Sequence, residues 1–144
     1  MFRHMAKEAG LSLEEFGHRA EKDWDIDREL DARMLELLRK QEQGVFDGRL
    51  TGYLAHKHNI TSLKIYLDAR LDVRIERIMK REKKDYATVE RDITQREHSE
   101  RGRYMSIYRV NLNDRSFFNL VIDSSRLRPE EIVEQIVKAL TRFN

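Results

Sequence analysis

Cysteine is absent from this 144-residue chain, which excludes disulfides, thiolate catalysis and cysteine-based zinc sites together. Proline occurs once, so little in the sequence breaks helices. No apolar run approaches the roughly 18 residues that a membrane-spanning helix needs. The opening Met1-Phe2-Arg3-His4-Met5-Ala6-Lys7-Glu8 has no apolar h-region of the signal-peptide kind. An excess of one charge is missing too: 28 Lys and Arg against 26 Asp and Glu leave a formal net charge of +2. That balance argues against a surface given over entirely to nucleic acid. What remains is abundant charge at 38% of residues, in a chain long enough for one domain with a real core. The expectation is a single cytoplasmic domain over residues 1–144, with no membrane partner.

Apolar periodicity supplies the elements. Phe2, Met5 and Ala6 recur at helical spacing, with Gly10 as a C-cap. Ser12-Leu13-Glu14-Glu15 has the form of a capping box, in which hydroxyl and carboxylate satisfy orphan amides reciprocally. Leu13, Phe16 and Ala20 should line the buried face of the helix that follows. A third helix is expected over Asp25–Lys40, with Ile26, Leu30, Met34, Leu37 and Leu38 on one stripe. The period then changes. Gly44-Val45-Phe46 reads as a buried strand and Leu63–Asp68 and Phe117–Asp123 as two further strands, separated by helices over Gly52–His58, Leu71–Arg81 and Tyr86–Tyr108 (one helix or a pair). Pro129 suits the first turn of a last helix, whose apolar face is Ile132, Val133, Ile136, Val137 and Leu140. Strands alternating with helices predict a parallel sheet in an α/β fold. Three strands make a thin sheet, whereas parallel sheets are normally covered on both faces.

Three constellations bear on chemistry. Asp47-Gly48-Arg49 follows a predicted parallel strand, at the edge where ligands of open α/β sheets bind. It reads either as an Asp-Gly turn with a surface arginine, or as a site where the carboxylate organises Mg²⁺ through water and the arginine forks onto phosphate. Arg74, Arg77 and Arg81 fall near one helix face, as a solvated row offset by Glu76 and Glu82 or as an anion site. Arg91 to Arg103 is charged on nearly every face, either a solvent-exposed helix or a lid that brings arginine onto a transferring phosphoryl group. None of the five histidines has convincing metal-ligand spacing. No nucleophile elbow is present either.

These residues, in this order, closely resemble archaeal cytidylate kinases, P-loop nucleoside monophosphate kinases. Phe2 through Gly17, continuing with Asp25-Ile26-Asp27-Arg28-Glu29-Leu30-Asp31, is similar to that family's acceptor-binding helices, which gives residues 2–43 that role. Asp47-Gly48-Arg49-Leu50-Thr51-Gly52 resembles its strand-end phosphate motif. Gln95-Arg96-Glu97 through Glu100-Arg101-Gly102-Arg103-Tyr104 resembles its lid, here residues 82–110. The resemblance implies a parallel sheet flanked by helices and transfer of the ATP γ-phosphate to CMP or dCMP with Mg²⁺. It implies that Arg3 and Arg49 hold the acceptor phosphate, and that Arg96 and Arg103 are lid arginines near sugar and phosphates. Glu100 would stand beside the acceptor nucleoside, Arg77 and Arg81 would face the donor, and Asp47 would join the Mg²⁺ water network.

One departure from the family is large: no G-x-x-x-x-G-K-[ST] run occurs in the 144 residues, although its amides cradle the ATP phosphates in such kinases. The expectation is a chain that lacks the first strand and P-loop and is crippled in turnover. Two other readings stay open: a non-catalytic nucleotide- or phosphate-binding module, and an RNA-binding protein using the arginine-rich lid. A sheet edge left exposed would offer a route to a dimer.

Overall fold

The computed structural model describes residues 1–143, and these divide into two compact units. The first comprises Met1–Thr61 and Gly102–Leu112; the second comprises Ser62–Arg101 and the chain from Asn113 on. Seven helices and two strands are formed among the described residues.

The first unit is helical. Helix α1 (Phe2–Glu8) ends at Ala9, and Gly10 follows with φ +68°. The Leu11 amide donates to the Ala6 carbonyl at 3.0 Å and the Gly10 amide to that of Lys7 at 3.1 Å. This is a Schellman ending, in which a left-handed glycine lets the chain reverse while the last carbonyls stay satisfied. Helix α2 (Leu13–Lys22) then opens on the expected capping box: the Glu15 amide donates to Ser12 Oγ at 3.2 Å, and the Ser12 amide to Glu15 Oε2 at 2.9 Å. Phe16 and Ala20 are buried, but Leu13 is exposed. It occupies the first helical position, ahead of the turn that packs. Phe2 and Phe16 meet edge to face, with centroids 4.9 Å apart, in a cluster with Met5, Ala6, Ala20 and Ile26.

Helix α3 (Asp25–Lys40) has the predicted limits. Ile26, Met34 and Leu38 of its stripe are buried, Leu30 is half-buried and Leu37 is exposed. Helix α3 packs on α4 (Thr51–Lys57). Met34, Leu38, Leu50, Leu54, Tyr104 and Val110 form the second core cluster. The predicted strand at Gly44-Val45-Phe46 is not formed. A strand is stabilised by its ladder partners, and this segment has none; Val45 is fully exposed. Asp47-Gly48-Arg49 therefore lies in a loop that leads into α4, not at a strand end.

In the second unit β1 (Ile65–Asp68) and β2 (Leu120–Asp123) pair in parallel, with Ile65 opposite Leu120 and Asp68 opposite Asp123. The predicted parallel arrangement is thus present, in a sheet of two strands rather than three. Helix α5 (Leu71–Glu82) buries Ile75 completely. Helix α6 is one continuous helix, Tyr86–Tyr108, which passes from the second unit into the first after Arg101. Helix α7 (Pro129–Phe143) buries no residue: Ile132 and Ile136 are half-covered, while Val133, Val137 and Leu140 are exposed. Among the described residues no helix is long and apolar enough to cross a membrane.

Candidate functional site

In the first unit, the loop before α4 is shaped by close approach. A Cβ on Gly48 would lie 2.4 Å from Thr51 Oγ1 and 3.4 Å from Met34 Cε, so only glycine lets the chain pass there. The Thr51 hydroxyl is buried without a hydrogen-bond partner. Asp47 and Arg49, on either side of Gly48, are exposed, as is Arg3 on α1.

Arg103 is different. It sits near the end of α6 with a side chain only 9% exposed, and its Nε donates to Asp27 Oδ2 of α3 at 2.6 Å; the Asp27 side chain is 1% exposed. One helical turn along α3, Asp31 is buried as well. Burial drives its pKa up to about 6, aided by the charge of Asp27 and opposed by a hydrogen bond from Tyr108. Its Oδ2 has no partner. The Tyr108 hydroxyl is in turn pushed well above the ordinary tyrosine range by burial and by its bond to Asp31. Arg103, Asp27 and Asp31 are thus buried polar groups of one unit, with half-buried Tyr108 bonded to Asp31.

The sequence reading missed Asp27, Asp31 and Tyr108. A signal was present: Asp27, Asp31, Met34 and Leu38 recur at helical spacing. Two carboxylates therefore occupy core positions, where acids are buried only when paired.

In the second unit each arginine of the ladder has its own partner. Arg74 Nη1 donates to Glu97 Oε1 of α6. Arg77 Nη2 donates to the Ser124 carbonyl at 2.6 Å and its Nη1 to Ser124 Oγ at 3.2 Å. Ser124 donates, through both its amide and its hydroxyl, to the Asp68 carbonyl at 2.8 Å. Ser124 thus joins the carboxyl ends of β1 and β2, and Arg77 donates to Ser124. Arg81 pairs with neighbouring Glu82 at 2.8 Å in an exposed position. No shared anion is needed to keep the three apart. On α6, Arg96 donates from Nε to Oε1 of Glu100 at 2.8 Å; the arginine is exposed and the carboxylate buried. The segment expected to be polar on every face therefore has buried members: Glu100, Arg103 and Tyr104.

Among the described residues no group of three or more His, Asp or Glu stands ready to enclose a metal. Asp47 is a single exposed carboxylate. Such a residue suits a strongly hydrated cation carried by substrate phosphates rather than one held in a protein cage.

Arginines stand on helices of both units, and a guanidinium can fork onto either a phosphate or a carboxylate. Comparison with known proteins narrows this. Residues 1–126 match the profile of the cytidylate kinase-like family, and the chain belongs to that family. A cytidylate kinase from Pyrococcus abyssi is 43% identical over 139 residues, covering 96% of this chain and 74% of the relative. One from Methanocaldococcus jannaschii is 40% identical over 141 residues, covering 97% and 79%. One from Sulfolobus acidocaldarius is 35% identical over 146 residues, covering 100% and 78%. No solved structure gives a significant match.

Proposed function

We propose that this chain carries the acceptor-binding and lid residues of a cytoplasmic cytidylate kinase, which transfers the γ-phosphate of ATP to CMP or dCMP and yields CDP or dCDP. The observation that carries the reading is its 35–43% identity to cytidylate kinases over nearly the whole chain. The arginine inventory supports it. Phosphoryl transfer depends mainly on positioning and on neutralising charge, and guanidinium forks do both.

Arg3 and Arg49, both exposed in the first unit, bind the acceptor phosphate in this proposal. Arg103 joins them as a lid arginine, and Arg96 is the second lid arginine. Glu100 recognises the acceptor nucleoside. Arg77 and Arg81 face the donor, with Arg77 also bonded to Ser124. Asp47 meets the hydrated Mg²⁺ that accompanies ATP, whose chemistry is to offset phosphate charge. The 144 residues contain no G-x-x-x-x-G-K-[ST] sequence, so the polypeptide by itself is expected to bind acceptor far better than it turns over. Among the described residues each strand of the sheet is paired on one side only, and strand addition there is the proposed route to any dimer.

The test is transfer of labelled γ-phosphate from ATP to CMP, dCMP, UMP and AMP, with and without Mg²⁺. Labelled CDP and dCDP, formed in preference to UDP and ADP, is the expected product pattern, at a rate far below that of the longer relatives. Preference for AMP or UMP would overturn the acceptor assignment, and turnover equal to a full-length relative would overturn the expected impairment. Binding of CMP without any transfer would favour a non-catalytic binding module.

A further inference from the structure

Two features fix the part of α6 that carries Arg103. The next residue, Tyr104, is buried against Met34, Leu38, Leu50 and Leu54, so the backbone of this turn has little freedom. The side chain also donates through Nε, at 2.6 Å, to the Asp27 carboxylate 76 residues away in sequence. A bond to Nε sets the plane of a guanidinium and the direction of its Nη edge, the edge that forks onto phosphate. Burying such a pair is a poor way to gain stability, because desolvation offsets most of the attraction and apolar side chains of similar volume often do better. A buried Asp–Arg pair reaching from an acceptor helix to the lid is better explained by what it does to the arginine.

We infer that Asp27 is a positioning residue for the acceptor phosphate: it holds the Arg103 guanidinium in the plane from which Arg103 engages the phosphate of a nucleoside monophosphate. This rests on the acceptor reading above. Asp27 itself touches no substrate. Its effect therefore belongs to the phosphate part of recognition, disappears when Arg103 is gone, and leaves the nucleoside part untouched.

The experiment is calorimetric titration of the 144-residue chain with CMP and with cytidine, for the wild type, Asp27→Asn, Arg103→Gln and the double variant. The expected result is a loss of CMP affinity of about tenfold in Asp27→Asn, the scale of one displaced charge-assisted bond, with cytidine affinity unchanged. In the Arg103→Gln background, Asp27→Asn should produce no further loss. Should Asp27→Asn not fold, Asp27→Glu keeps the charge but shifts it by one methylene, and it too should weaken CMP and not cytidine. Wild-type binding of CMP with unaltered affinity in the Asp27 variants, or equal losses for CMP and cytidine, would overturn the positioning role and leave the acceptor reading standing. Failure of the folded wild type to bind CMP would overturn the acceptor reading and this inference with it.

Discussion

Helix α6 is charged along most of its length, and yet Val89, Glu100, Arg103 and Tyr104 on it are buried. Helix α7 carries a clean apolar stripe, and none of its residues is buried. The contrast separates two ways of fixing a helix. Helix α6 is held by named partners: Glu97 meets Arg74, Arg103 meets Asp27, and Tyr104 enters an apolar cluster. Helix α7 has the pattern that could be buried, but Val133, Val137 and Leu140 face no cover among the described residues. Periodicity measures what a helix can bury; partners decide what it does bury.

The sharpest way to break this contrast is to remove a partner of α6. Asp27→Ala takes from Arg103 the carboxylate that offsets its charge in the interior, and should cost about 3–5 kcal/mol in urea unfolding, the usual penalty for half of a buried pair. A loss below about 1 kcal/mol would mean that the pair does not anchor the helix.

Asp31 gives a smaller effect with a distinctive pH signature. Its carboxyl titrates near 6 in the fold because of burial, against about 3.9 in an unfolded chain. A raised acid pKa means that the protonated form is favoured by folding. Its contribution is present in full below the unfolded pKa, declines as pH rises through about 6, and is gone above it. Asp31→Asn, which mimics the protonated form, should therefore stabilise the protein at pH 7.5, by on the order of 1–3 kcal/mol. The gain should shrink to nearly nothing at pH 4. Urea midpoints at the two pH values decide this, and a gain equal at both would contradict the assignment.

Ser12→Ala should cost about 1 kcal/mol, since the hydroxyl satisfies the Glu15 amide at the start of α2; thermal unfolding checks it. At the small end, Val137→Lys on the open face of α7 should change stability by no more than about 0.5 kcal/mol in the 144-residue chain. A loss near that of a core residue would show that the stripe is covered, and the contrast between the two helices would fail.

Much of the molecule is legible in the sequence where the determining interactions are local. The capping box at Ser12, the reversal at Gly10 and the limits of α3 depend on residues within a turn of one another. Pairing in parallel also follows, because helices separate the strands. Gly44-Val45-Phe46 reads as a strand because β-propensity reports only that a segment fits a sheet; with no neighbour to complete the ladder it stays irregular. The candidate site divides in the same way. Arg3, Arg49, Arg96 and Arg103 are proposed from their resemblance to a family, but the pairing of buried Arg103 with Asp27 spans 76 residues of sequence. The same limit applies to Arg77, whose bonds to Ser124, 47 residues away, leave no trace in the local sequence.

The most direct test of the whole reading is titration of the 144-residue chain with CMP, beside Arg103→Gln. Saturable one-to-one binding by the wild type, weakened about tenfold or more by the substitution, is the expected result. A folded wild type that does not bind CMP, or an Arg103→Gln variant that binds it equally well, would contradict it.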